Sequence, residues 1–260
     1  MAKIIICMPE NGSVTLNIEN NIGTIEFHHP KGNSLPGKLL RELAEKITQA
    51  GQDDDIRVIV LRSKGDGAFC AGASFDELMA IDNYEEGKRF FMGFALVLNA
   101  MRECPNLIIV RVQGKTVGGG VGIAAAGDYT FAHESASIKL SELALGIGPF
   151  VVGPAVERKI DDSAFSTLAI DAHSWYDADW AYNNGLFQKV LSSHQELDKA
   201  VNELASSLAK SSPKAMKELK VVLWQGTNHW DSLLEQRAEI SGELVLSDYT
   251  KKFIADFKKK

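Results

Sequence analysis

One run near the middle of the chain, Lys115-Thr116-Val117-Gly118-Gly119-Gly120-Val121-Gly122-Ile123-Ala124-Ala125-Ala126-Gly127-Asp128, restricts the possible folds more than any other. An apolar β-type run, Leu107 to Val112, leads into it, and the alanine-rich part starts a helix. Glycine lets a backbone approach a ligand and adopt dihedrals closed to other residues. A helix start presents unpaired N–H groups to partial negative charge. The combination suggests an oxygen-binding hole built from backbone amides. Two other readings stand beside it. The glycines serve equally well to pack a helix closely on a strand. Gly120 to Ala125 also fits the dinucleotide pattern G-x-G-x-x-A, with Glu142 lying 20 residues past Gly122. Against the dinucleotide reading, Tyr129 to Ala132 reads as a strand so soon afterwards that a crossover helix of normal length does not fit. The match also sits mid-chain, and no G-x-x-x-x-G-K-[ST] loop occurs.

The 260 residues, 45% hydrophobic and 24% charged, predict one large domain, or a domain with a small appendage. No apolar run is long enough to span a bilayer, so no membrane partner is expected. A net charge of −6 argues against nucleic acid; an anionic ligand would need a local basic patch such as Lys251-Lys252 or Lys258-Lys259-Lys260. The start, Met1 to Met8, lacks signal-peptide features. Cys7, Cys70 and Cys104 form no C-x-x-C pair, which predicts a reducing, cytoplasmic setting. The six histidines show no metal pattern, and no G-x-S-x-G elbow occurs.

Alternating Val14–Ile18 and Gly23–Phe27 predict two strands joined across Asn20-Asn21. Pro36 to Gln49 is predicted helical, with Leu39, Leu40, Leu43 and Ile47 on its buried face. Arg57 to Arg62 reads as a buried strand, followed by a glycine-marked loop, Ser63 to Ser74, and a helix, Phe75 to Ala80. A long helix, Tyr84 to Met101, carries Phe90, Phe91 and Phe94, assigned to core rather than to a cofactor-binding face. After strands at Leu107–Val112, Tyr129 and Ala136–Leu140, the chain turns helical: Ser163–Ala169, Asp177–Asn184, Gln195–Lys210, Pro213–Gln225 and Trp230–Leu246. These elements predict repeated ββα units over residues 1–195 and a helical region over 196–260.

Five segments then line up, in order, with one family. His29-Pro30-Lys31-Gly32-Asn33-Ser34-Leu35 is similar to R-P-x-x-x-N-A-L, and Phe69 to Phe75 to F-[SC]-A-G-A-D-[IL]. Gly118-Gly119-Gly120 with Ala125 to Asp128 is similar to G-G-G-x-x-L-A-x-x-C-D, and Ser141 to Pro149 to P-E-[IV]-x-L-G-[LI]-x-P. Asp177 to Val190 is similar to D-A-x-x-A-x-x-x-G-L-V-x-x-V. Over residues 14–245 the chain resembles the crotonase, or enoyl-CoA hydratase/isomerase, superfamily. The resemblance implies an α/β spiral of ββα units with a C-terminal helical trimerisation region, assembled as a homotrimer or dimer of trimers. It implies an acyl-coenzyme A substrate and no further cofactor. The thioester oxygen would lie between the N–H groups of Ala73 and Gly119, with Lys31, Ala71, Phe75 and Gly118 along the ligand groove. Phe253, Phe257 and Lys258 lie where the family often supplies a neighbour's coenzyme A contacts.

Family hydratases typically carry two glutamates; here the first position is Gly122 and the second is Glu142. Hydration divides its proton transfers between two groups, whereas moving a double bond needs one base that takes a proton and returns it elsewhere. Glu142 among Leu140, Leu143, Leu145, Phe150 and Val151 would have its pKa raised by desolvation. A single-glutamate isomerase is therefore favoured. The glycine and alanine run also resembles members classed as methylglutaconyl-CoA-type hydratases, and the missing carboxylate admits a catalytically silent acyl-CoA-binding protein. Phe150-Val151-Val152, where the family often has glycines, predicts either a filled pocket for a short or branched acyl group or plain packing. Ser74 replaces a usual aspartate, and Cys70 is a candidate nucleophile of low rank.

Overall fold

The computed structural model describes residues 11–257, so the readings made for Met1 to Met8, Cys7 and Lys258 to Lys260 lie outside it. Strands β1 (Ser13–Glu19) and β2 (Ile22–His28) pair antiparallel. Asn20 and Asn21, with φ of 53° and 62°, make the left-handed two-residue turn that suits twisted strands. Helix α1 (Gly37–Gln52) follows, burying the four predicted leucine and isoleucine side chains. Strands β3 (Val58–Ser63) and β4 (Leu107–Val112) extend the sheet in parallel, separated by α2 (Phe75–Ala80) and α3 (Tyr84–Glu103).

Next come β5 (Thr116–Val117), α4 (Gly119–Ala126), β6 (Tyr129–His133) and β7 (Ser137–Lys139). α4 makes the crossover between parallel β4 and β6 with only eight residues, shorter than a crossover helix of normal length, as the sequence spacing required. It can be that short because all eight residues are buried and small or β-branched, so the strands on either side close directly over it. α5 (Gly153–Ile170) starts ten residues before the predicted Ser163 and is broken at Asp161, where φ is 67°. The Asp161 carboxylate accepts from the Ala164 N–H (3.0 Å), so the predicted helix is the second half of a kinked one. β8 (Tyr176–Asp177), α6 (Ala178–Asn183) and β9 (Lys189–Leu191) complete two sheets, ordered β1-β2-β3-β4-β6-β9 and β5-β7-β8. Both β4/β5 and β6/β7 send one strand to each sheet before a helix, which is the ββα spiral predicted.

Alternation along β3 explains why it is apolar throughout. Ile59 and Leu61 face the main core with α1 and α3, while Val58 and Val60 face Leu197, Val201 and Ala205 of α7 (His194–Ala209). Helices α8 (Pro213–Leu223), α9 (Trp230–Leu244) and α10 (Asp248–Phe257) follow. The buried Asp128 carboxylate ties α8 to the sheet: it accepts from Lys220 Nζ (2.7 Å), Trp224 Nε1 (2.8 Å) and the Ile108 N–H (2.7 Å). α9 runs along α3, with Lys88 bridging Glu235 and Glu239 at 2.8 and 2.7 Å. The apolar residues of the C-terminal helical region expected to support association, Leu233, Leu234, Leu244 and Val245, pack within the chain itself: Leu234 and Val245 are buried, Leu233 and Leu244 half-buried. Four exposed apolar residues, Leu219, Val221, Val222 and Leu223, lie together on α8, with Ile240 of α9 and Tyr249 of α10 also exposed. Among the described residues no helix is long and apolar enough to cross a membrane.

Candidate active site

Three loops are stitched together around one cavity. Asn33, itself at φ 56°, clamps the first two: its Nδ2 donates to the carbonyls of Lys64 (3.1 Å) and Ala68 (2.9 Å), and its Oδ1 accepts from the His29 N–H (3.0 Å). Leu35 N–H donates to Gly72 O (2.8 Å) and Ala71 N–H to Gly32 O (3.1 Å), so the segment carrying Ala73 lies beside Leu35. On its other side, Val117 N–H donates to Cys70 O (2.9 Å), which draws the glycine run against it. The motif asparagine is thus a structural clamp that sets where Ala73 sits.

Each glycine in the run has its own neighbour. A side chain on Gly120 would meet Cys70 Cβ at 2.7 Å, and one on Gly122 would meet Val152 Cγ1 at 2.7 Å. These two meet the close-packing reading. Gly118 (φ 53°) would place a Cβ 2.8 Å from Glu142 Oε1, and Gly119 one 2.1 Å from the Phe94 ring, and both glycines line the cavity. These two meet the close-approach reading. Gly119 is the first residue of α4. Among the described residues, neither its N–H nor that of Ala73 donates to a protein acceptor. Both residues line the same cavity, so two unpaired donors border one space, one of them at a helix start.

The cavity measures about 350 Å³. Of the residues singled out from sequence, Ala71, Ala73, Phe75, Gly118, Gly119, Glu142 and Phe150 border it. Lys31 does not: it is exposed and ion-paired with Asp76 on the surface. Phe90, Phe91 and Phe94, read as core, pack against it as expected, with Phe94 a member of the main core, and also form cavity walls, while Leu98 and Met101 of the same helix are core alone. Helical periodicity marks the buried face of α3 but not what that face meets. Phe253, read as reaching a neighbour, lines this chain's own cavity through α10; the side chain of Phe257 is outside the described part. α10 lies over Gly146, where a Cβ would meet the Tyr249 ring at 2.4 Å. Leu140 is in the core and Leu143 is exposed, so only part of the apolar shell expected around Glu142 touches it from the cavity side.

Glu142 starts a turn whose geometry its own carbonyl holds, accepting from Leu145 N–H (3.1 Å) and Ile147 N–H (3.0 Å). Its residue surface is partly open, but Oε2 is shut off from solvent and has no hydrogen-bond partner. Desolvation raises its pKa to about 7, only partly offset by its own backbone N–H. Such a carboxyl can hold or release a proton near neutrality. Cys70 is buried, and its thiol is pushed up to about 12 by burial, so it is inert as a nucleophile near neutral pH. Gly122 does not border the cavity, and the space beside its Cα is taken by Val152, which does.

Two unpaired amides and one desolvated carboxyl around an apolar cavity suit stabilising a developing oxyanion and moving a proton beside it. The enoyl-CoA hydratase/isomerase family model matches residues 17–258, and the chain belongs to that family, the crotonases. It is 24% identical to a probable enoyl-CoA hydratase of Bacillus subtilis (strain 168), over 95% of this chain and 96% of that protein. It is 32% identical to the mitochondrial methylglutaconyl-CoA hydratase of Homo sapiens, over 75% of this chain but only 58% of that protein. The crystal structure of enoyl-CoA hydratase from Bacillus halodurans superimposes with a TM-score of 0.86 at 21% identity, covering 94% of this chain and 99% of that one.

Proposed function

We propose that the chain isomerises an unsaturated acyl-CoA through a thioester enolate, with Glu142 as the single proton shuttle. The observation that carries this is that Glu142, desolvated, is the one carboxyl among the described residues lining the cavity, while Gly122 carries no side chain and packs against Val152. Glu142 takes a proton from Cα of a 3-enoyl thioester, and the electron pair moves onto the thioester oxygen. The N–H groups of Ala73 and Gly119 stabilise that oxygen. The proton returns at Cγ, and the double bond ends conjugated with the thioester. Coenzyme A belongs to the substrate, and no further cofactor takes part.

The second reading is hydration, supported by the names of the relatives. The two separate in deuterated water. Interconversion of 2- and 3-enoyl-CoA with deuterium at Cα or Cγ, and no hydroxyl product, is the expected result. A 3-hydroxyacyl product would establish hydration instead, and binding without turnover would leave a silent binder. The Val152 packing adds a sharper expectation. Gly122→Glu alone should gain no hydration and lose ~1–3 kcal/mol of stability by overpacking against Val152. Gly122→Glu with Val152→Gly should bring hydration in. Hydration by the single variant would show that Val152 does not exclude the second carboxylate.

We also take the chain to act as a homotrimer or dimer of trimers, its exposed α8 residues being the covered surface. Light scattering should give a trimer or larger; a stable monomer would refute this.

A further inference from the structure

The cavity's charge is as informative as its shape. None of its described lining residues is lysine, arginine or histidine, and its one ionisable side chain is a carboxyl. Its walls are phenylalanines 75, 90, 91, 94, 150 and 253, with aliphatic side chains between them. Two hydroxyls border it. The proton of Ser241 is already donated to the Arg237 carbonyl (3.0 Å), leaving Ser141 as a neutral donor. An acyl group ending in a free carboxylate would enter without a counter-ion and meet Glu142 as a like charge. Burying an unpaired carboxylate in apolar surroundings is strongly unfavourable. A proton placed on Glu142 would relieve the repulsion but would remove the base.

Resting on the acyl-CoA reading above, we infer that this site selects uncharged acyl groups and rejects dicarboxylic acyl-CoAs, the class to which methylglutaconyl-CoA belongs. Sequence identity to a methylglutaconyl-CoA hydratase then reflects shared scaffold rather than shared substrate. The volume is compatible: an engineered apolar cavity of about 150 Å³ admits benzene, and this one is about 350 Å³. A branched or ring-bearing acyl group fits the phenylalanine walls, whereas a charge does not.

The test compares glutaconyl-CoA with its ω-methyl ester, nearly the same shape without the charge, and with crotonyl-CoA as an uncharged reference. Binding is measured by calorimetry and turnover by product analysis on the wild-type protein. The ester should exceed the free acid in kcat/KM by on the order of 10³-fold. Equal or better use of the free acid overturns the inference while leaving the acyl-CoA reading intact. Failure to bind any of the three, crotonyl-CoA included, overturns that reading and the inference with it. Phe150→Arg, which places a cation in the wall, should narrow the ester-to-acid ratio at least ~10-fold, as pairing a buried charge requires. A ratio unmoved in a folded Phe150→Arg protein counts against the inference.

Discussion

Glu142→Gln is expected to lower enoyl-CoA turnover by at least ~10²-fold, the lower range for loss of a general base, while acyl-CoA binding stays near that of the wild type. The amide is nearly isosteric, and the N–H groups of Ala73 and Gly119, proposed to hold the thioester oxygen, belong to other segments and are untouched. In the wild type, kcat/KM should rise with pH and level off above an apparent pKa near 7, because the base must be ionised. The variant should lose that limb. A fully active Glu142→Gln protein would mean the site lies elsewhere.

The same substitution carries a stability signature of defined sign. Folding raises the Glu142 pKa from 4.5 to about 7, so the folded state binds this proton more tightly than the unfolded chain does. The associated stability is fully present below about pH 4.5 and is lost as pH rises through about 7. At pH 8 the wild type therefore carries a buried carboxylate whose Oε2 has no partner, a cost of ~1–3 kcal/mol. Glu142→Gln should thus gain on the wild type in thermal stability between pH 4.5 and pH 8. A difference independent of pH would show that the carboxyl is solvated in solution. Stability and activity would be traded at one residue, as expected of a functional carboxyl held in an apolar place.

The second large effect belongs to Gly119→Ala. The added carbon would fall 2.1 Å from Cε1 and Cζ of Phe94, so either the ring or the start of α4 must move. Moving the helix start takes the Gly119 N–H off line, and losing one oxyanion donor costs about 10²–10³-fold in kcat. Gly119→Ala with Phe94→Leu should recover part of that loss by making room for the carbon. If Gly119→Ala alone keeps full activity, the Gly119 N–H is not part of the reaction. If the double variant recovers nothing while remaining folded, the Phe94 contact is not the cause.

Much of this protein was legible in its residues. Alternation gave β1 and β2, the apolar spacing gave α1 and α3, and the glycine run with Glu142 marked a cavity that the chain does build. These are local properties: backbone dihedrals, periodicity and the absence of a side chain act within a few residues. Strands β5, β8 and β9 were not legible, because two or three residues carry no period and are held only by partners far along the chain. That Phe94 belongs to the core and borders the cavity at once, that Phe253 lines its own chain's cavity, and that Val152 packs against Gly122 were likewise not legible. Packing between distant segments sets those, since an apolar side chain is equally satisfied by a neighbour or by a ligand. The sequence by itself determined that an acyl-CoA-type scaffold with one candidate base would form. Only the tertiary structure decided that this base sits desolvated, with no counter-charge among the described walls, because burial is a property of everything that closes around a group.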